Sequence, residues 1–153
     1  SNPQSLRTFL WFKPGQLDAA LPFYQEIFPD LQVLGINRQG SDSPIFIAEL
    51  SISGHQLVGM ATEGGPDFND SISLSLSVDG QAEVDRIWDA LSSNGGKPGR
   101  CGWLVDQFGV SWQVTPHQMG EYLGNPDPEL RHFAWQAMMK MSKIVLKDFV
   151  KEA

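Results

Sequence analysis

The clearest pattern in the chain is the strict alternation Ser71-Ile-Ser-Leu-Ser-Leu-Ser-Val78, which predicts a strand with one apolar and one small polar side. Two other kinds of pattern surround it. Leu6 to Lys13 is aromatic and β-favouring and stops at Pro14-Gly15, so it reads as a strand closed by a turn. Leu17, Ala20, Leu21, Tyr24, Ile27 and Phe28 recur at helical spacing, with Pro22 as the weak point and Pro29-Asp30 as the stop. Strand-like runs follow at 32–38, 45–52 and 56–62, the last two joined by a turn at Ser53-Gly54-His55. The stretch 62–70 (TEGGPDFND) carries two glycines and a proline and reads as a loop.

The order then restarts. After the 71–78 strand, Val84, Ile87, Trp88 and Leu91 mark a helix over 80–94 that ends at Gly95-Gly96. Strands are expected at 100–105 and 110–115, while Lys97-Pro98-Gly99 leaves little room for another. Taking Asp106-Gln-Phe-Gly109 as a four-residue turn pairs Val105 with Val110, Trp103 with Trp112 and Cys101 with Val114. Cys101, Trp103, Val105, Val110, Trp112 and Val114 then share an apolar face, and Gly102, Leu104, Ser111, Gln113 and Thr115 share the other. The remainder is helical. Asp127-Pro128 is a helix start, with an apolar stripe running from Leu130 to Met141, and a second short helix is expected over 144–152.

Composition narrows the function classes. The chain has 153 residues, 41% of them hydrophobic, enough for a real core. A formal net charge of −7, from 11 basic and 18 acidic residues, argues against nucleic acid and anionic membrane as partners. No apolar run approaches the roughly 18 residues of a membrane span, and there is no signal-peptide core. One cysteine cannot form an internal disulfide, so the expected setting is cytoplasmic.

Chemical candidates are few. Cys101 sits among apolar neighbours, and His55, His117 and His132 stand at no cysteine-enzyme spacing, so Cys101 reads as packing. Glu49 is the only carboxylate in the middle of a predicted strand, either a general base or an exposed charge. Gly64-Gly-Pro66 lacks the strand–loop–helix setting of a nucleotide site. A row of serines without long charged groups, next to a face carrying Gly102 and Gln113, suits the lining of a cavity.

The residues Thr8-Phe-Leu-Trp-Phe12, Phe23-Tyr24, Phe28-Pro29, Gly64-Gly-Pro66 with Phe68-Asn69, Gln81-Ala-Glu-Val-Asp85, the block CGWLVDQFGVSWQV over 101–114, and Asn125-Pro-Asp-Pro128 carry a resemblance. The chain resembles the PhnB-like branch, labelled 3-demethylubiquinone-9 3-methyltransferase, of the vicinal oxygen chelate (glyoxalase/bleomycin-resistance/dioxygenase) superfamily. The resemblance implies an α+β fold of paired βαβββ modules, about 6–62 and 71–116, with a helical tail over 117–153. It also implies a homodimer and sheets that curl around a cavity. In metal enzymes of the superfamily a Glu ends the ligand set on the last strand. Here Gln113 stands at that place, the first strand offers Arg7, Thr8 or Phe9, the fourth Val58-Gly-Met60, and the fifth a serine. A neutral amide replaces a charged ligand poorly. No strand–glycine-loop–helix unit is present to hold S-adenosylmethionine.

The expected function is therefore a small-molecule binder with no cofactor and no metal, its cavity lined by Gln113, Ser111, Gly102, Ser73, Ser75, Trp11, Glu49 and Phe68. The alternatives are a metal-dependent enzyme with rearranged ligands drawn from Glu49, His55 and Glu63, or a drug-sequestering protein.

Overall fold

In the computed structural model, which describes residues 5–152, each half of the chain builds the same unit of a strand, a helix and three further strands, and the halves divide between Phe68 and Asn69. The first contains β1 (Thr8–Phe12), α1 (Gln16–Ile27), β2 (Gln32–Arg38), β3 (Ile45–Ile52) and β4 (His55–Ala61). Its sheet runs β1-β4-β3-β2, with β1 parallel to β4 and the other pairs antiparallel. The second contains β5 (Leu74–Val78), α2 (Gly80–Leu91), β6 (Lys97–Pro98), β7 (Trp103–Val105) and β8 (Ser111–Pro116), in the corresponding order β5-β8-β7-β6. The expected α+β class and the two βαβββ modules are both present.

Each sheet has a covered back and a front that its helix leaves free. In the first unit, Leu17, Ala20, Leu21 and Tyr24 of α1 bury against Leu10, Phe12, Ala48, Leu50 and Leu57. Gly59 makes room for this contact, since a Cβ there would lie 2.8 Å from Leu17 Cδ2. Pro22 lies inside α1 without ending it. Asp18 fastens the helix to the sheet by accepting from the Ile45 backbone N–H at 2.9 Å and from Arg38 at 3.2 Å. In the second unit, Val84, Ile87, Trp88 and Leu91 of α2 pack on Leu104, Trp112 and Val114.

Three expectations need correction. Lys97–Pro98 does form a short strand, paired antiparallel with Val105 and Leu104. The 71–78 strand is regular only from Leu74, and Ile72 is 76% exposed instead of sharing the apolar side. The hairpin register is one residue off the expected pairing, with Trp103 opposite Gln113, Leu104 opposite Trp112 and Val105 opposite Ser111. The turn is the reason. Asp106 N–H donates to Val110 O at 2.8 Å and Gly109 N–H to Asp106 O at 2.9 Å, with Gly109 at φ 92°. That makes a three-residue connection ending in a left-handed residue, one residue shorter than the expected loop. A one-residue slip turns every side chain of β7 over. Trp103 and Val105 therefore join Ser111 and Gln113, while Leu104 joins the core.

The tail forms α3 (Met119–Leu123), α4 (Pro128–Met138) and a final 3-10 turn, Leu146–Phe149. Asp127 caps α4, its carboxylate accepting from Glu129 N–H at 2.9 Å. Ala134, Met141, Ile144 and Phe149 make a separate small core with Tyr122, Leu123 and Met138 around it. The expected helix ends at Met138, not Met141, and α3 lies within the span expected to be helical. No helix among the described residues is long and apolar enough to cross a membrane.

Candidate functional site

The front of the second sheet is built by alternation. Along β8, Trp112 and Val114 face α2, so Ser111, Gln113 and Thr115 face away from it. Parallel pairing sets Ser75 beside Gln113 and Ser77 beside Thr115, and antiparallel pairing sets Trp103 on the other side of Gln113. Gln113 is half-buried at the centre of this row, and its Nε2 donates to Ser73 Oγ at 2.9 Å. Thr115 Oγ1 donates to the Leu76 carbonyl at 2.9 Å. At the end of the row the Ser77 hydroxyl and His117 Nδ1 are 2.6 Å apart. Ser111 is different in kind. It is 3% exposed, and its Oγ is buried with no hydrogen-bond partner among the described residues.

A buried carboxylate supports this face from behind. Asp106 is 2% exposed. Its Oδ1 accepts from the Phe108 and Val110 N–H groups at 2.9 and 3.0 Å, and its Oδ2 accepts from the Trp112 indole at 2.9 Å. One charge thus closes the turn and fixes the tryptophan under the sheet.

The front of the first sheet has other chemistry. Phe9, Trp11, Val58, Met60, Ile47 and Glu49 point to this side. The Phe9 and Trp11 rings lie 5.5 Å apart, and Gly65 of the following loop sits on the indole, where a Cβ would be 3.1 Å from Cε3. Glu49 is paired with Arg7 at 3.0 Å, and both side chains are partly exposed. Gly35 leaves room for the carboxylate, since a Cβ there would stand 3.0 Å from Glu49 Oε2.

The eight residues read from the sequence as one lining are placed within each unit as follows. Gln113, Ser111, Ser73 and Ser75 share the front of the second sheet. Trp11 and Glu49 share the front of the first. Phe68 stacks edge-on against Phe12, whose ring is buried on the α1 side of β1, at 5.7 Å. Gly102 precedes β7 and faces the tail, where a Cβ would meet Ile144 Cγ1 at 3.1 Å. Its N–H donates to Ser142 O at 2.8 Å, next to a bond from Cys101 N–H to Met141 O at 2.9 Å. The expected register puts Trp103 and Val105 on the helix side and Leu104 on the front; the length of the turn is the signal that reverses all three.

The three residues considered for a rearranged metal set stand apart. Glu49 is on the front face, His55 is on the opposite face with Nε2 2.8 Å from Thr8 Oγ1, and Glu63 is exposed in the loop. Among the described residues no three of His, Cys, Asp or Glu gather.

Comparison with known proteins agrees with this architecture. The putative PhnB protein from Bacillus cereus is 24% identical with a TM-score of 0.66, over 74% of this chain and 99% of that one. Protein PA1353 from Pseudomonas aeruginosa is 24% identical with a TM-score of 0.56, over 73% and 98%. The fosfomycin resistance protein FosX from Listeria monocytogenes, in its complex with Mn(II) and sulfate, is 14% identical with a TM-score of 0.52, over 81% and 98%. No curated protein matches. The profile of the family described as 3-demethylubiquinone-9 3-methyltransferase matches residues 4–115. The chain belongs to that family, the PhnB-like branch of the vicinal oxygen chelate superfamily.

Proposed function

We propose that the protein binds a small organic molecule on the front of its second sheet, without a divalent cation. The observation that carries this reading is Gln113. Its amide stands half-buried on a helix-free face of small hydroxyls, with one N–H committed to Ser73 and the carbonyl committed to no described residue. One or two placed polar groups among small and aromatic side chains suit a small-molecule site. The donor set does not fit a divalent cation. An amide that donates to a serine contributes no charge, and Glu49 is already neutralised by Arg7. FosX from Listeria monocytogenes is seen in complex with Mn(II), and the present chain shares its fold. The family resemblance supports a homodimer, which light scattering checks by the appearance of one species at twice the chain mass.

The experiment is a thermal-shift screen of neutral and charged fragments against the wild type and Gln113→Leu. Fragments that stabilise the wild type are expected to lose most of that effect in the variant. Stoichiometric metal in the purified protein, lost in Glu49→Gln or His55→Ala, would replace this reading with the metal-dependent one.

A further inference from the structure

The front of the second sheet carries a charge at one end. Cross-strand partners point to the same side, so Lys97 of β6, opposite Val105, stands on the front with Val105 and Ser111. Lys97 is exposed and has no ion-pair partner among the described residues. The acid nearest to this row in the chain, Asp106, is buried and bonded to the Phe108 and Val110 N–H groups and the Trp112 indole. No carboxylate stands on this side of β5, β6, β7 or β8. Asp79, just past β5 at the His117 end, accepts from Gln118 Nε2 at 2.9 Å. In a chain of net charge −7, the strands of this face thus offer one cation and no acid.

Unmet hydrogen-bonding capacity lies beside that cation. Ser111 shares the row of Lys97 and Val105, and its buried Oγ has no hydrogen-bond partner among the described residues. Two residues further along β8, Gln113 donates to Ser73 Oγ at 2.9 Å, and its Oε1 accepts from no described residue. Trp103 stands opposite Gln113, on the same side as Val105. Neighbouring strands are roughly 4.8 Å apart, which sets the Lys97 and Gln113 backbones about 12 Å apart, with Val105 and Trp103 between them. The flexible four-carbon stem of lysine lets its ammonium swing over Val105.

We propose that this face takes a flat organic acid with a single negative charge, an assignment that rests on the small-molecule reading above. The ring lies along the Trp103 indole, which supplies an aromatic surface. The carboxylate accepts from the Lys97 ammonium in a charge-assisted hydrogen bond, and its second oxygen supplies an acceptor toward the Ser111 hydroxyl. The far edge of the ring meets the Gln113 amide. One lysine balances one charge; a phosphate monoester would bring close to two.

The test titrates three naphthalenes of one shape: 2-naphthoate (anion), 2-naphthamide (neutral) and 2-naphthylmethylammonium (cation). Affinities are read by ligand-observed NMR at low salt on the wild type, Lys97→Met, Lys97→Glu and Gln113→Leu. The expected result is 2-naphthoate at least about fivefold tighter than 2-naphthamide on the wild type. In Lys97→Met the two become equal while 2-naphthamide keeps its wild-type affinity, which also shows that the variant is folded. In Lys97→Glu the cation becomes the tighter ligand, and Gln113→Leu weakens all three. If 2-naphthamide matches 2-naphthoate on the wild type, or the preference survives in Lys97→Met, the acid assignment is overturned, while weaker binding in Gln113→Leu keeps the small-molecule reading. If none of the three binds but fragments from the broader screen do, the acid assignment is likewise overturned. If no fragment of any kind binds, or Gln113→Leu leaves every affinity unchanged, the underlying reading fails as well.

Discussion

The two sheets share strand order, pairing and a backing helix, yet their front faces carry different chemistry. The first presents aromatic and aliphatic side chains around a closed Arg7–Glu49 ion pair. The second presents serines, a threonine, a tryptophan and an amide that is only partly committed. Alternation along a strand fixes which residues face the helix but leaves the other face open to vary. One fold unit therefore supplies two surfaces, and the side chains with unmet hydrogen-bonding capacity lie in the second.

The hairpins show the same contrast. The β3–β4 turn needs only backbone, with Ser53 and Gly54 both at positive φ (51° and 81°) and Ile52 opposite His55. The β7–β8 turn depends on the Asp106 carboxylate. Replacing Asp106 by Ala removes its bonds with the Phe108 and Val110 N–H groups and the Trp112 indole, and a hydrogen bond to a charged group is worth about 1.5–3 kcal/mol. A loss of at least about 3 kcal/mol, or roughly 10 °C in Tm, is expected for a chain of this size. Ser53→Ala in the other turn is expected to cost under about 1 kcal/mol. Equal effects on denaturant unfolding would remove the distinction between the turns.

The helix-facing positions differ as well. Gly59 pairs with Leu10 of β1, and Val114 holds the corresponding place beside Leu76 of β5. Gly59→Ala is expected to destabilise by about 1–3 kcal/mol through overpacking on Leu17 and Phe12. Val114→Ala is expected to cost about 2 kcal/mol by leaving a cavity. A neutral Gly59→Ala would mean that α1 stands off its sheet more loosely than described.

Only the second unit carries a tail, and Gln81 ties it down. Its Nε2 donates to Ile144 O and its Oε1 accepts from Leu146 N–H, both at 2.8 Å. Gln81→Ala is expected to cost about 1–2 kcal/mol and to speed amide exchange over 144–149. Beside it, the bond from Gln81 and then the one from Lys143 hold the Asp85 carboxyl below its ordinary value of 3.8. A depressed carboxylate stabilises above its unfolded value and loses that contribution as pH falls through the folded one. Tail exchange should therefore rise below about pH 3.8 in the wild type and less steeply in Lys143→Met.

The smallest effect concerns Ser111. Its buried, unpartnered hydroxyl gives nothing to the fold, so Ser111→Ala is expected to be neutral or stabilising by up to about 1 kcal/mol. A clear loss in Tm would show that the hydroxyl has a partner.

Legibility in the sequence followed how local each cause was. The first unit's strands, and the assignment of Gln113 and Ser111 to one face of β8, were readable because alternation is a nearest-neighbour property. Trp103 was not, because the side on which β7 presents it depends on a turn whose length is set by a buried carboxylate binding groups two to six residues away. The Lys97–Pro98 strand hid in a stretch rich in turn residues. Gly102 was misread because the tail that packs on it, through Ile144, lies some forty residues away in sequence. The separation of Trp11 and Phe68 onto opposite sides of β1 likewise needs the loop's path.

The most direct test of the second sheet as the binding surface is two-dimensional amide NMR of the labelled protein during titration with a fragment that stabilises the wild type in the thermal-shift screen. The account predicts saturable shifts of the Gln113 side-chain NH2 pair and the Trp103 indole N–H, with the Trp11 indole and the α4 amides unmoved. Shifts confined to Trp11, or to the tail groove lined by Phe133, Lys140 and Val145, would contradict it.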